Sequence, residues 1–479
     1  MNYSRRQLLK SIALGSFTAF LPRSLTYASP MQFPSKRPAQ RKFVSRAVEE
    51  TIEKTKREIA DPELRWIFEN CYPNTLDTTV EIGVVNGKPD TFIITGDIDA
   101  MWLRDSACQV WPYLSLTKDD ADLRRFFQGL IARQARCILL DPYANAFLPD
   151  PTSKKPLSWA VDDLTDMRPG VAERKWEVDS LAYCIRLAHG YWQSTGDFSP
   201  FSEEWARAMR LVLATFHEQQ RKKAQGPYHF QRRTEVPTDT LALGGYGNPA
   251  RPVGLIHSMF RGSDDACVYS FNVPENLFAM VALRQLADMA GPVLKDVSLA
   301  DDCRALAHEI EVALALYGRS HDPKRGECWA YEVDGFGNQI FMDDANVPSL
   351  LALPYLGCCA VDDPLYVRTR ARVLSDDNPY FFRGSAAEGI GGPHVGLDMI
   401  WPMAILMRAL TSTDENEIRQ CLRWIKSTHA GTGFMHEAFH KDDPSRFTRA
   451  WFAWANSLFG ELIIKLTHER PALLKDPRI

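Results

Sequence analysis

Apolar residues recur three and four positions apart through "RRFFQGLIARQARCILL", "LFAMVALRQLADMA" and "IRQCLRWIKS", the spacing that lines one face of an α-helix. Strand-like alternation is confined to "TVEIGVVNGKPDTFIITG" and "CWAYEVDGFGNQIFMDD", each with a glycine or asparagine turn, and these predict β-hairpins. The periodic stretches predict about a dozen helices, beginning near residues 45, 105, 119, 176, 199, 274, 295, 346, 362, 396, 413 and 451. They alternate in character. The even-numbered ones are apolar nearly all round, as in "SLAYCIRLAHGYW" and "GLDMIWPMAILM", whereas the odd-numbered ones carry charge on one face, as in "AVEETIEKTKREI". Helices covered on all sides alternating with half-exposed ones predict an all-α fold. Twelve of them in six hairpins describe an (α/α)6 barrel with small β-hairpin insertions.

The first thirty residues do not share this pattern. "SRRQLLK" sets a pair of arginines before a modest apolar run, "SIALGSFTAFLP", and a small-residue stretch, "LTYASP". That order predicts a removable export signal over 1–30, and Arg5-Arg6 gives it the twin-arginine type, a receptor-read address and not an anchor. The expected location is the periplasm, without membrane anchoring, because the apolar run is too short to span a bilayer. A polar linker over 31–44 follows, then a single domain over 45–479. Ten cysteines in an exported chain would ordinarily suggest disulfides. Here they are scattered through apolar helical stretches such as those of Cys137, Cys184 and Cys421, and twin-arginine export implies folding in a reducing compartment, so free thiols are expected.

With a formal net charge of -4 and acids and bases nearly matched, no basic stripe suggests nucleic acid or an anionic membrane. An uncharged partner fits better. Just before successive inner helices stand "MWLRDS", "KWEVDS", "FRGSDDA", "MDDAN", "AAEGIGGPH" and "FMHEAFHKDD". In a barrel of hairpins these ends open on one face, so the clusters are expected to converge on one pocket. Each acid there has a plainer reading as a helix N-cap, Asp105 and Asp179 above all. Capping does not explain the accompanying tryptophans or the doubled acids Asp264-Asp265 and Asp343-Asp344.

A pocket rich in Asp, Glu, Trp, Arg and His suits a neutral polyhydroxylated ligand: charged groups bind vicinal hydroxyls and indole faces pack on sugar rings. Cleaving a glycosidic bond needs two carboxyl groups, one protonated and one ionised. The candidates by position are Asp264, Asp265, Glu388 and Glu437.

"TGDIDAMWLRDSACQVWPYL", "WEVDSLAY", "FRGSDDACVYSFNVPEN", "EGIGGPHVGLDMIWPM" and "GFMHEAFHKDDPSRFTRAWFAWANSLFGELI" strongly resemble glycoside hydrolase family 125, the exo-α-1,6-mannosidases, in order from about residue 45 to 465. The resemblance implies an (α/α)6 barrel, no metal or other cofactor, and inverting removal of terminal α-1,6-linked mannose from a mannose-containing glycan. Carried over by position, its general acid falls on Asp264 and its general base on Glu437. Asp97, Trp102, Arg104, Asp105, Glu177, Asp179, Asp265, Glu388, His394 and His436 are the expected sugar-binding residues. The family commonly has proline where this chain has Gly262, which implies a looser "FRGSDD" loop. Asp265 is expected to raise the pKa of Asp264 by like charge.

Two rivals remain at this stage. "HEAFH", residues 436 to 440, matches the zinc-hydrolase pattern, with Glu461 as a third ligand; it requires both histidines on one face of a continuing helix. A carbohydrate-binding protein without activity is the other, since the barrel fold hosts many functions.

Overall fold

The computed structural model describes residues 33–477 and Ile479. The twin-arginine segment, 1–30, lies outside the described residues. Residues 33–44, the expected linker, run along the domain: Arg37 forks between Glu49 and Asp77 at 2.7 Å each, and the Trp66 indole donates to the Pro34 carbonyl at 2.7 Å.

Helices dominate, and charged and apolar ones alternate as the periodicity predicts. The principal ones are α1 Arg46–Glu58, α2 Pro62–Cys71, α3 Leu103–Cys108, α4 Ala121–Leu140, α5 Val178–Thr195, α6 Glu203–Gln219, α7 Val273–Ala290, α8 Val297–Tyr317, α9 Pro364–Val373, α10 Pro402–Leu410, α11 Glu415–Thr428 and α12 Ala453–Glu469. Every residue of α5 from Val178 to Ala188 is buried. By contrast, α1 buries only Ala47, Val48, Ile52 and Thr55. Helix α5 packs against α3 on one side and α7 on the other, and α12 packs against α10 and back against α3. These form an inner layer wrapped by α1, α4, α6, α8, α9 and α11.

The two layers begin differently. Ser45, Asp120, Ser202, Asp296, Asp363 and Asp414 each cap an outer helix through a side-chain oxygen, satisfying backbone N–H groups that the first turn leaves open. Among the inner helices, α7 is capped by Asn272, whereas α3, α5, α10 and α12 start at Trp102, Glu177, Trp401 and Phe452 without any such cap. Their polar residues are engaged elsewhere.

Three expected helices are altered. No helix forms from 346: residues 351–357 are turns, where Asp343 takes the N–H groups of Leu350 and Leu351 at 2.7 and 3.0 Å, Pro354 lacks an N–H, and Gly357 has φ 77°. The helix expected at 396 starts only at Pro402, because Gly396 and Asp398 take positive φ. The stretch from 105 is the short α3 followed by a 3-10 segment, Trp111–Lys118, with Pro112 in its first turn. Helix α2 has no counterpart in the periodic reading; Asp61 caps it and Pro62 starts it.

The strands are short: β1 Val80–Val85, β2 Lys88–Ile93, β3 Met101–Trp102, β4 Ala146–Phe147, β5 Val171–Glu173, β6 Phe271–Asn272, β7 Arg319–Asp322, β8 Gly326–Trp329, β9 Glu332–Val333, β10 Gln339–Ile340, β11 Phe381–Arg383, β12 Glu388–Ile390, β13 Met399–Ile400, β14 Phe439–His440 and β15 Asp443–Phe447. The β1–β2 hairpin turns at Asn86-Gly87, with φ 51° and 75°, as the sequence predicts. The second hairpin is smaller than expected, pairing Glu332 with Ile340 and Val333 with Gln339. Cys328 and Trp329 pair instead within β7–β8. All ten cysteines are free, eight of them buried and Cys358 and Cys359 half-buried.

Candidate active site

The segments leading into the inner helices meet around one cavity. Trp102, Arg104 and Asp105 come from the start of α3; Ser263 and Asp264 from the loop before α7; Asn346 from the turn segment; His394 and Trp401 from the approach to α10; Glu437, Arg449, Phe452 and Trp454 from the approach to α12. Five of the six sequence clusters thus reach the cavity. The sixth, with Glu177 and Asp179, lies beneath it. Asp105 and Asp179 sit in the first turns of α3 and α5 without capping them, so the capping reading of these two acids does not hold.

One wall is built on Arg104, which is 3% exposed. Its guanidinium donates to Glu177 Oε2 at 2.7 Å, Asp179 Oδ2 at 3.2 Å and Asp264 Oδ1 at 3.3 Å, with Asp105 at 3.8 Å. The small sheet β3-β4-β5 sets Trp102 opposite Ala146, and Ala146 opposite Glu173, so that Asn145 lies between them. The Asn145 amide nitrogen is 3.2 Å from Glu173 Oε2, 3.2 Å from Glu177 Oε1 and 3.3 Å from Asp264 Oδ1. Asp264 has φ 66°, a left-handed conformation that aspartate tolerates better than most side chains. The Lys175 ammonium fixes it by donating to the Asp264 carbonyl at 2.6 Å.

Electrostatics on this wall overturn one expectation. Burial acts to raise the Asp264 pKa, but Arg104 and Lys175 outweigh it and hold the carboxyl well below the usual carboxylate range. Asp265 does not push it up. It turns toward Ser263 Oγ at 3.4 Å and His394 Nδ1 at 3.5 Å. Three carboxyls are driven upward instead: Glu177, by burial and the nearby charge of Asp264 and Asp179, against Arg104, and Asp179 and Glu275, each chiefly by burial. Burial also pushes Asp105 up to about 6. Nor is the loop at Gly262 slack, since a Cβ there would come within 3.3 Å of Asp179 Oδ2 and 3.4 Å of Pro348 Cδ.

The other wall carries Glu437, whose Oε1 lies 3.5 Å from Arg449 Nη1. Arg449 also pairs with Asp97 and donates to the Thr95 carbonyl at 3.2 Å, with its guanidinium 4.9 Å from the Phe452 ring centre. Gly96 permits that approach: at φ 63°, a Cβ would stand 2.8 Å from Arg449 Nη2. Asp97 therefore braces Arg449 at the rim and does not line the cavity.

Three further expected sugar contacts, Asp265, Glu388 and His436, do not line it either. Glu388 is the cross-strand partner of Arg383 and accepts from Arg408 at 2.8 Å and Arg383 at 3.3 Å. His436 stacks on Phe447 at 4.0 Å between ring centres, with Nδ1 3.1 Å from the Arg449 carbonyl. The zinc pattern fails on geometry: residues 436–440 run without helix into strand β14, and Glu461 accepts instead from the Tyr355 hydroxyl at 2.9 Å. Among the described residues, no group of three or more His, Cys, Asp or Glu side chains is placed to hold a metal ion.

Several cavity residues escape the sequence reading: Asn346, Trp401, Arg449, Phe452 and Trp454 line it, and Asn145 and Lys175 support it. The indole nitrogens of Trp102 and Trp401 and the Nε atoms of Arg104 and Arg449 are buried without a hydrogen-bond partner. Four donors without acceptors around one cavity are the complement of a hydroxyl-rich ligand.

The model of the metal-independent α-mannosidases, GH125, matches residues 61–464. A Schizosaccharomyces pombe protein described as meiotically up-regulated gene 157 protein is 43% identical over 468 residues, covering 93% of this chain and 91% of its own. A Streptococcus pneumoniae metal-independent α-mannosidase, solved in a non-productive complex with α-1,6-mannobiose, is 42% identical with a TM-score of 0.85, over 90% of this chain and all of that one. A bacterial glucoamylase solved with acarbose shares only the fold, at 10% identity and a TM-score of 0.50, over 91% of this chain and 58% of its own. The chain belongs to glycoside hydrolase family 125, the metal-independent α-mannosidases.

Proposed function

We infer that this α-mannosidase removes terminal α-1,6-linked mannose from the non-reducing end of a glycan with inversion, on an (α/α)6 barrel. The observation that carries the reading is that Asp264 and Glu437 face one small cavity from separate walls. Asp264 protonates the leaving glycosidic oxygen while Glu437 takes a proton from the water that attacks the anomeric carbon. Arg449 orients Glu437, and Trp102, Trp401 and Arg104 offer their unpartnered donors to sugar hydroxyls. The mannobiose complex of the Streptococcus pneumoniae relative supports the linkage, and the glucoamylase likeness supports the barrel.

Proton NMR of α-1,2-, α-1,3- and α-1,6-mannobiose digests tests linkage and stereochemistry together. Cleavage of the α-1,6 isomer with β-mannose appearing first is the expected result; α-mannose first would overturn inversion, and preference for another linkage would overturn the specificity.

The twin-arginine segment belongs to the same proposal: the enzyme is exported folded to the periplasm. Its support is the Arg5-Arg6 pair and the short apolar run after it. Replacing both arginines with lysine should leave the enzyme in the cytoplasm, and unchanged periplasmic activity would remove the assignment.

A further inference from the structure

The Arg104 wall holds more acid than base. Asp105, Glu177, Asp179 and Asp264 all lie within 3.8 Å of the one guanidinium. Lys175 spends its ammonium on the Asp264 carbonyl and on Asp239, and Glu173 has its own cation in Arg232 at 2.9 Å. Glu275 approaches from α7, bonded to Ser258 and 3.3 Å from the Val178 N–H. Buried charge in such excess is relieved by protonation.

Position decides which carboxyl carries the proton. Glu177 is fully buried, whereas the Asp264 side chain is 15% exposed at the cavity. Oxygen Oε2 of Glu177 is filled by Arg104 at 2.7 Å and Ser180 Oγ at 2.9 Å. Oxygen Oε1 faces the Asn145 amide, which it shares with Glu173 and Asp264. The Glu177 and Asp264 carboxyls themselves come within hydrogen-bonding reach of one another, a contact that needs a hydrogen between them.

We propose that Glu177 is a positioning residue that stores the proton Asp264 delivers to the leaving oxygen, an inference that rests on Asp264 being the general acid. When the glycosidic oxygen is seated against Asp264, the O–H bond of Glu177 breaks and one forms on Asp264. Arg104, Ser180 and Asn145 hold the resulting Glu177 carboxylate. Asp264 passes the proton to the glycosidic oxygen as the C–O bond breaks, and Glu437 receives one proton from the attacking water. Solvent then reprotonates the store through Asp264, the open member of the pair, while Glu437 releases its proton to solvent. The upward displacement of Glu177 and the downward displacement of Asp264 agree with this order.

The test compares Glu177→Gln with Asp264→Asn on α-1,6-mannobiose and on α-mannosyl fluoride, whose leaving group needs no proton. Glu177→Gln should lower kcat on mannobiose by about tenfold or more and move the alkaline limb of the pH profile to lower pH, with a much smaller loss on the fluoride. The infrared difference from wild type at neutral pH should show a lost carboxylic-acid band. Equal losses on both substrates with an unmoved limb, or no lost band, would overturn the store. Should Glu177→Gln not fold, Glu177→Asp withdraws the carboxyl by one methylene and must still displace the limb; an unmoved limb overturns the proposal. Wild-type turnover of mannobiose by Asp264→Asn would instead overturn the acid assignment itself.

Discussion

The carboxyls of Asp264 and Glu437 are almost equally exposed, 15% and 13%, yet their surroundings differ sharply. Asp264 is held by a left-handed backbone, a lysine on its own carbonyl, an arginine and a shared amide. Glu437 has one cation at 3.5 Å, itself braced by an Asp97 side chain that is 49% exposed. A group that gives a proton to a sugar oxygen in one place must be fixed against that oxygen, and its proton must be kept available. A group that takes a proton from a small water tolerates a looser seat.

The sharpest way to break the contrast is to remove its two arginines. Arg104→Ala leaves Glu177, Asp179 and Asp264 buried without their cation, and stability should fall by about 3–5 kcal/mol. Arg449→Ala should cost less, because its partner Asp97 is half exposed and keeps its solvation, while still lowering kcat, because Glu437 loses its orienting partner. Urea unfolding of both variants decides it, and equal losses would erase the distinction between the walls.

A smaller effect sharpens the comparison through pH. Asp105, pushed up to about 6 in the folded protein, starts near 3.9 when unfolded. A raised carboxyl contributes stability that is fully present below the unfolded value and is lost as pH rises through the folded one. The stability of Asp105→Asn relative to wild type should therefore rise between about pH 4 and 6 and level off above. Melting temperatures across that range check it, and a flat difference would mean that Asp105 is not strained by burial.

The helices were legible because their signal is local and repeated: apolar spacing marks each one. Where that signal stops, so does legibility. The segment after Asn346 is as apolar as a helix, but Asp343, Pro354 and Gly357 turn it aside. The clusters before inner helices announced a pocket, yet composition could not tell Asp105, which lines it, from Glu388, whose register opposite Arg383 draws it into ion pairs. Asn145 had no signal at all. It earns its place only when β3, β4 and β5 pair, three segments separated by tens of residues. Trp401, Arg449 and Trp454 stood inside stretches already singled out, and an indole or guanidinium beside an inner helix start was the available clue.

The unpaired cysteines give the molecule a gauge of its own opening. Cys137 and Cys303 have thiols pushed up to about 12 by burial, and those of Cys108 and Cys184 stand well above the ordinary value, so an alkylating reagent finds almost no thiolate while the helices stay packed. Labelling must wait for local or global opening. Mass-resolved modification of these cysteines would time the release of the inner layer at Cys184, on α5, against that of the outer layer at Cys137, on α4.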